Sequence, residues 1–284
     1  MTQSKRLLGL FAHPDDEILG PGGTVAHYAQ EGAQIEWVCA TRGEAGEIAP
    51  EANATPDTLA AVREKEMLCA AHTLGIRHVH FLGYRDSGMD GTADNQHPNA
   101  YINSRAENVV PQLVAVIRQL RPHVALTFEP YGGYGHPDHI TIHKHTLAAL
   151  AAAADNTYRP DLGTAWQTPR LFYPLLRLAT FDDMKARMVA KGLDTDFFDR
   201  LENRRIHGWP DDNFHCRIDI RHTFRKKWTA FYCHATQFGA HNLFRRLSDA
   251  EMAEVFTHEY FALAYPQPTN GLMLNNLFDG LLEN

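Results

Sequence analysis

Segments rich in β-branched and aromatic residues alternate with segments of helical periodicity through the first half of the chain. Strands are predicted at 6–12, 34–41, 78–83 and 123–128, and helices at 24–32, 57–75, 108–120 and 137–154. Such alternation predicts a parallel sheet covered by helices on both faces. We therefore expect an α/β fold of the Rossmann-like, doubly wound type, in which ligands bind beyond the carboxyl ends of the strands. Pro111 fits its helix only if it lies in the first turn.

The alternation weakens in the second half. Further strands are predicted at 170–177 and 214–220, and further helices at 179–204, 223–238 and 248–256. The length of 284 residues allows two domains or one large one. Because no internal repeat or linker interrupts the sequence, we expect a single domain over 1–284, with an α/β core over 1–155 and a C-terminal elaboration over 156–284.

Composition excludes several classes of protein. The 27 basic and 34 acidic residues give a net charge of −7, which argues against nucleic acid as a partner. No apolar run is long enough to cross a membrane, and the run at 7–12 is too short for a signal peptide, so we expect a cytoplasmic protein. The four cysteines, expected to be free thiols, lack the spacing of a scaffold (Cys39, Cys69, Cys216, Cys233). A homo-oligomer is allowed, but no pattern predicts a number of subunits.

The first predicted strand leads directly into His13-Pro14-Asp15-Asp16-Glu17. Adjacent carboxylates repel each other unless they are hydrated or paired, and a divalent cation removes that problem. His13 and Asp16 can converge on one metal across a tight turn, which leaves Asp15 pointing into the cavity. The alternative is a simple turn in which Asp15 or Asp16 caps the next helix.

A second polar motif, Gly135-His136-Pro137-Asp138-His139, follows the fourth predicted strand. His139 would lie in the first turn of a helix and complete a set of two imidazoles and one carboxylate with His13 and Asp16. His143 competes as a ligand, but it lies one helical turn deeper, so we favour His139.

Three protein ligands and a water are typical of catalytic zinc, although ferrous oxygenases use the same ligand types. An unliganded Asp15 beside the metal favours a hydrolase, with Zn²⁺ expected and Fe²⁺ or another divalent metal as alternatives.

Together with Gly43-Glu44-Ala45-Gly46-Glu47, these motifs resemble the PIG-L/LmbE-like N-acetylglucosamine deacetylases. Arg85-Asp86-Ser87-Gly88-Met89 and His234-Ala235-Thr236-Gln237 are similar to the branch that acts in mycothiol synthesis. The resemblance is strong in the first half of the chain and scattered in the rest. It implies a zinc-dependent hydrolase that removes acetate from a small-molecule N-acetylglucosamine glycoside.

The resemblance also implies a role for individual residues. His13, Asp16 and His139 match metal ligands, and Asp15 matches the general base. Four more residues match groups at the substrate: the carbonyl or tetrahedral intermediate would be stabilised by Tyr134 and His136, and the sugar hydroxyls would contact Arg63 and Asp86. Three further expectations do not come from the resemblance. The proximity of Asp138 to His136 in the motif predicts a hydrogen bond that orients His136. Glu47 would contact the substrate amine or complete a polar loop, and Gln237 is expected to be a polar residue at a helix end. The amine would be protonated by Asp15 or by His136.

Several functions stay open at this level. The aglycone would be inositol in the mycothiol branch and malate in relatives of bacillithiol synthesis. A malate carboxylate would need a cationic partner, and Arg63, Arg85 or Arg105 could supply one. A thiol-conjugate amidase, or a deacetylase of another N-acetylglucosamine sugar, would use the same site. A sugar-binding or metal-storage module would leave Asp15 without a role, and a ferrous oxygenase would have to consume oxygen.

Overall fold

The computed structural model describes residues 4–198 and 208–281, which form one sheet of seven strands. In chain order the strands are β1 (Arg6–Phe11), β2 (Gln34–Cys39), β3 (His78–Phe81), β4 (Val124–Leu126), β5 (Arg170–Leu175), β6 (Cys216–Asp219) and β7 (His258–Tyr265). Their spatial order is β3-β2-β1-β4-β5-β7-β6. Neighbours from β3 to β5 are parallel, whereas β7 is antiparallel to both β5 and β6. The predicted α/β class with a mostly parallel sheet is confirmed, although β7 was not predicted.

Helices cover both faces of this sheet. They are α1 (Asp16–Leu19), α2 (Gly22–Gln30), α3 (Leu59–Leu74), α4 (Ala106–Leu120), a one-turn α5 (Gly132–Gly135), α6 (Pro137–Ala154), α7 (Leu178–Ala190), α8 (Phe224–Cys233) and α9 (Asp249–Val255). The helix predicted at 179–204 corresponds to α7, which ends at Ala190, and its positions 199–204 lie outside the described residues. In the part of the chain that the structure describes, no helix combines the length and apolar composition needed to cross a membrane.

The prediction that Pro111 lies in the first turn of its helix is wrong. Helix α4 begins at Ala106, so Pro111 is inside it. A proline there cannot donate the usual hydrogen bond to the carbonyl four residues earlier. The apolar face of α4 compensates, because Val109, Leu113 and Ile117 are fully buried.

The sheet separates two apolar cores. Alternate residues of β1 point to opposite faces, as strand geometry requires. Leu7 and Phe11 belong to the core under α2, α3 and α8, whereas Leu8 and Leu10 belong to the core under α4 and α6. Burial of each leucine stabilises the fold by about 2 kcal/mol. The carboxyl end of β1 is therefore fixed from both sides.

A close contact beside β1 requires a glycine. Trp37 of β2 stacks on Phe11, with ring centroids 4.7 Å apart and an interplanar angle of 5°. A Cβ atom at Gly9 would lie only 2.1 Å from the Trp37 ring. The absent side chain at Gly9 therefore lets the indole pack flat over the strand that leads to His13.

The expectation of four free thiols is wrong for two of them. Cys69 of α3 and Cys233 at the end of α8 form a disulfide, with their Cα atoms 5.8 Å apart. Cys39 and Cys216 are free and buried. The pair is separated by 164 residues in sequence, and only the packing of α3 against α8 brings its members together.

Candidate metal centre and active site

The three predicted metal ligands meet beyond the neighbouring strands β1 and β4. His13 Nδ1 lies 3.1 Å from His139 Nε2 and 3.9 Å from Asp16 Oδ2. Asp16 Oδ1 lies 3.4 Å from His139 Nε2. All three side chains are buried. Two segments that are distant in sequence are thus close enough to share one ion.

Local structure explains why these side chains point at one another. Asp16 Oδ2 accepts hydrogen bonds from the backbone amides of Ala12 (3.0 Å) and His13 (2.8 Å), which closes the turn after β1. Helix α6 begins at Pro137, with His136 as its N-cap, so His139 falls in the first turn.

The ring nitrogens that point away from the shared site, His13 Nε2 and His139 Nδ1, already have hydrogen-bond partners. His13 Nε2 lies 3.2 Å from Asp138 Oδ2 and 3.4 Å from Asp86 Oδ1, so it acts as a donor. His139 Nδ1 lies 3.1 Å from the Gly132 carbonyl and is also a donor. In the neutral tautomers, His13 Nδ1 and His139 Nε2 therefore direct lone pairs at a common point beside the Asp16 carboxylate. Such a donor set fits a divalent cation.

The electrostatics of the two rings differ. Burial lowers the pKa of His139 well below its usual value, and the neighbouring His13 lowers it further. Burial alone would also lower the pKa of His13, but the carboxylates of Asp86 and Asp138 raise it well above the usual value. A proton on His13 thus competes with a metal for the same nitrogen.

Two other groups of buried side chains also have ligand atoms within 4.8 Å of one another: His13 with His136 and His139, and His13 with Asp86 and Asp138. In these two groups, Asp138 and His136 have other hydrogen-bond partners. The Asp138 carboxylate accepts hydrogen bonds from Ser87 N (2.9 Å) and Ser87 Oγ (2.5 Å). His136 Nδ1 accepts from the Asp138 backbone amide at 3.1 Å. The Asp138 carboxylate thus orients His13, and the expected orientation of His136 by that carboxylate is wrong.

Asp15 lies outside the ligand set and is held in an unusual conformation. Its φ of 112° lies in the region that non-glycine residues rarely adopt. Its backbone amide donates to Glu17 Oε2 (3.0 Å), and its carboxylate accepts from Arg63 Nη2 (3.1 Å). Burial raises the pKa of Asp15, and the Arg63 guanidinium opposes that shift. Backbone strain of this kind is common at functional sites.

Arg63 is a buried cation, although it lies on α3 among other charged residues. Its side chain is buried, and besides Asp15 it donates to the carbonyls of Gly43 (3.0 Å) and Pro14 (2.6 Å). A Cβ atom at Gly43 would lie 2.0 Å from Arg63 Nη1, so only glycine allows this approach. Arg63 thereby joins the turns that follow β1 and β2.

Sequence reasoning missed the pair of residues behind Asp15. Glu17 Oε1 lies 2.5 Å from His234 Nε2, and both side chains are fully buried. Because the other oxygen of Glu17 accepts from the Asp15 amide, the pair anchors the turn that presents Asp15. The motif contained Glu17, but nothing in the sequence connected it with His234.

A polar cavity of about 460 Å³ opens at Asp15. The predicted catalytic and substrate residues other than the metal ligands all line it: Asp15, Glu47, Arg63, Asp86, Tyr134 and His136. Tyr134 is 41% exposed, but desolvation of its hydroxyl within the site and the nearby carboxylates raise its pKa, so it stays a hydroxyl donor.

Gln237 was expected to be a polar residue at a helix end and is instead part of the cavity wall, where its amide donates to the Glu47 carbonyl at 2.9 Å. Helix α8 ends at Cys233, so Gln237 lies on the loop beyond it. His241 and Asn242, which no sequence pattern singled out, line the same cavity.

The three arginines considered as partners for a substrate carboxylate are not equivalent. Among them, and within the described part of the chain, only Arg63 lines the polar cavity. Arg85 pairs with Asp94 at 2.6 Å, and Arg105 pairs with Glu107 at 2.7 Å.

A second cavity, of about 610 Å³ and mainly apolar, lies on the other side of Asp15. The two cavities share Asp15 and Tyr134, and the second also contacts Asp16 and His139. Its apolar walls include Phe128, Leu176, Phe181, Trp209 and Phe238. Sequence reasoning missed this cavity because its walls come from five separate segments of the chain.

One family model and two relatives of the same name match this chain. Residues 8–150 match the family described as PIG-L: GlcNAc-PI de-N-acetylase. A relative from Geodermatophilus obscurus is 38% identical over 274 residues, covering 93% of each chain. Another, from Thermobifida fusca, is 39% identical over 280 residues, covering 94% of this chain and 96% of the relative. Both are named 1D-myo-inositol 2-acetamido-2-deoxy-alpha-D-glucopyranoside deacetylase.

Solved structures share the fold at low sequence identity. The N,N'-diacetylchitobiose deacetylase of Pyrococcus horikoshii has a TM-score of 0.62 at 20% identity and covers 92% of this chain and 84% of its own. GalB, the 4-carboxy-2-hydroxymuconate hydratase of Pseudomonas putida, has the same score and identity and covers 94% of this chain and 99% of its own. Because one is a deacetylase and the other a hydratase, the fold alone does not select a reaction.

Proposed function

Since this chain belongs to the PIG-L family of GlcNAc-PI de-N-acetylases and is a metal-dependent N-deacetylase, we propose that it removes acetate from N-acetylglucosamine linked to a neutral polyol of the inositol type. The reaction would serve the synthesis of a thiol of the mycothiol type. The observation that carries this proposal is the position of Asp15, which lies beside the metal ligands and lines both cavities.

His13 Nδ1, His139 Nε2 and Asp16 would bind the metal, which we propose to be Zn²⁺, with Fe²⁺ as the alternative. When bound, the metal would supply Lewis acidity to the acyl oxygen and lower the pKa of the attacking water. The Asp138 carboxylate supports this set, because its contact with His13 Nε2 fixes the tautomer that leaves Nδ1 free.

Asp15 would act as the general base. Its carboxylate takes a proton from the attacking water, and the Arg63 guanidinium, at 3.1 Å, favours the ionised form against the effect of burial. The same carboxyl group then gives the proton to the amine as the C–N bond breaks. The raised pKa of Asp15 suits both steps, since a weakly basic carboxylate would be a poor proton carrier.

His136 and Tyr134 would stabilise the tetrahedral intermediate. Because His136 Nδ1 accepts from the Asp138 amide, a neutral ring carries its proton on Nε2 and donates from there. Burial, together with the neighbouring His13, lowers the pKa of His136 to about 3, which keeps the ring neutral. These contacts favour His136 as a hydrogen-bond donor and Asp15 as the proton carrier.

The polar cavity supports a sugar with an uncharged aglycone. Its carboxylates and amides, including Asp86, Glu47 and Gln237, can accept hydrogen bonds from or donate them to hydroxyl groups. The guanidinium of Arg63 is already bonded to Asp15 and to two carbonyls, and Arg85 and Arg105 have acidic partners elsewhere. A malate carboxylate would therefore face Glu47 and Glu51 with little compensation.

Acetate release from two purified glycosides tests the proposal. We expect kcat/KM for the N-acetyl-α-glucosaminide of inositol to exceed that for the N-acetyl-α-glucosaminide of malate by at least about tenfold, which corresponds to about 1.4 kcal/mol. A preference for malate would contradict the neutral aglycone. If neither glycoside released acetate while an S-conjugated thiol amide was cleaved, the chain would be an amidase instead.

A further inference from the structure

Acetate removal leaves the apolar cavity without a role. An acetyl group brings a single methyl, whose volume is about that of one water molecule, roughly 30 Å³. The cavity has a volume of about 610 Å³, within the range of sites that enclose a whole small ligand. Something larger than a methyl group can therefore occupy it.

The cavity reaches the reacting atoms. Asp16 and His139, two of the metal ligands, line it, as do Asp15 and Tyr134. The polar cavity, which suits the sugar, shares only these last two residues with it among the described residues. An amide bound at Asp15 with its sugar in the polar cavity would thus direct its acyl group into the apolar one.

The chemistry of the walls matches a hydrocarbon. Phe128, Leu176, Phe181 and Trp209 contribute apolar surface. The carboxylate of Glu129 also lines the cavity, but it accepts hydrogen bonds from the amides of Tyr131 (2.5 Å) and Gly133 (2.6 Å). Because these bonds satisfy Glu129 locally, it does not require a charged ligand.

We propose that this cavity is an acyl-chain site and that the chain hydrolyses glucosamine amides of straight-chain acyl groups of about four to eight carbons. The inference rests on the proposed function. The chemistry is unchanged: water adds its oxygen to the acyl carbon, the C–N bond breaks, and the amine takes the proton that Asp15 removed. The products are glucosamine, or its glycoside, and a fatty acid.

A series of N-acylglucosamines tests the site through release of the free amine. Each buried methylene is expected to raise kcat/KM by up to about fourfold, so N-hexanoylglucosamine should exceed N-acetylglucosamine at least tenfold. A kcat/KM that decreases from acetyl to hexanoyl would overturn the inference and leave the proposed deacetylation intact. Failure to cleave any member, the acetyl amide included, would count against both.

The kinetics of a variant that fills the apolar cavity provide the second measurement. Leu176 lines the cavity outside the catalytic residues, so Leu176→Trp should lower kcat/KM for the hexanoyl amide at least tenfold and leave the acetyl amide within about twofold. Leu178→Trp is the matched control, because Leu178 is 36% exposed and belongs to the same segment. An equal effect of Leu176→Trp on both substrates would contradict a specific acyl site. If that variant does not fold, the acyl series on the unaltered enzyme still decides.

Discussion

At the residue scale, the backbone of Asp15 matters as much as its carboxylate. A φ of 112° would strain alanine, whereas asparagine tolerates positive φ better and has nearly the same shape as aspartate. Asp15→Asn therefore removes the proposed general base and keeps the turn that presents Asp16 to the proposed metal site.

We expect Asp15→Asn to lower kcat by about 10²–10⁴, the usual contribution of a general base, and to keep one equivalent of bound metal. Deacetylation kinetics and metal analysis of the same preparation measure both quantities. Asp90→Asn, at an exposed position outside the cavities, is the control. Near-normal turnover would remove Asp15 from the mechanism, and loss of the metal would make it a ligand.

A second residue-scale prediction concerns His123, whose Nδ1 accepts a hydrogen bond from the Arg6 backbone amide and whose Nε2 lies 3.0 Å from the Arg6 guanidinium. Burial and the Arg6 charge lower its pKa from 6.5 to about 4. Because His123 binds a proton at a higher pH in the unfolded chain than in the folded one, the free energy of unfolding decreases as the pH falls below 6.5. Between pH 7.5 and pH 5, the free energy of unfolding of the parent should decrease by about 2 kcal/mol more than that of His123→Asn.

Urea unfolding at the two pH values measures this difference. His97→Asn, at an exposed position, should follow the parent. Equal losses in the parent and in His123→Asn would show that His123 titrates normally.

Residue types and spacing were sufficient to predict His13, Asp16 and His139 as neighbours, because both motifs follow strands of one parallel sheet. The partners of those residues could not be predicted in the same way. Asp138 contacts His13 rather than His136, since the backbone of the α6 N-terminus already satisfies His136. Gln237 reaches the cavity through a loop whose path depends on tertiary packing.

At the scale of elements, the buried strands were predictable from their apolar runs, and β7 was not. Its inward positions are Glu259, Phe261 and Leu263, so a carboxylate interrupts the apolar alternation. Glu259 is buried because it accepts from Lys227 Nζ (2.7 Å) and from the amides of Gly23 (2.8 Å) and Thr24 (2.7 Å). One polar cluster thereby joins β7, α8 and the start of α2.

Breaking this pair should be costly. Lys227→Met leaves the Glu259 carboxylate buried without its cation, and we expect the free energy of unfolding to fall by about 3–5 kcal/mol. Chemical denaturation measures the change. Arg159→Ala, which breaks an exposed pair with Asp161, should leave the free energy of unfolding nearly unchanged.

The double variant Lys227→Met/Glu259→Gln separates charge from packing. If the unpaired charge of Glu259 destabilises Lys227→Met, the double variant should regain part of the free energy of unfolding that the single variant loses. A single variant as stable as the parent would mean that the cluster contributes little.

At the scale of the whole molecule, the Cys69–Cys233 disulfide links α3, which carries Arg63, to α8, which precedes the loop of Gln237. A bond that closes a loop of this length lowers the entropy of the unfolded chain by an amount worth about 4–5 kcal/mol. We expect reduction to lower the free energy of unfolding by up to that amount, measured by urea unfolding with and without reductant.

The variant Cys69→Ser/Cys233→Ser provides the control, since reductant should not affect it. Unchanged stability of the parent on reduction would contradict the expectation. Cys39 and Cys216 are buried free thiols and stay as they are in both proteins.

The α/β class could be predicted from the alternation of elements because that pattern is local. The disulfide, the antiparallel β7 and the apolar cavity depend on contacts between distant segments, and no local pattern encodes them. The single-domain division of the chain, the roles of the site residues, the identity of the metal and the cytoplasmic location stay predictions.

The predicted metal ligands and Asp15 lie within the first 139 residues, whereas much of the surface around the two cavities comes from residues after 173, such as Leu176, Trp209 and Gln237. The later stretch thus contributes to the walls of both cavities without supplying a predicted metal ligand or the predicted base. Mutations of its cavity residues are expected to change the range of amides accepted, whereas His234 of the same stretch supports the turn that presents Asp15. Directed evolution of new acyl or aglycone preferences should therefore begin there.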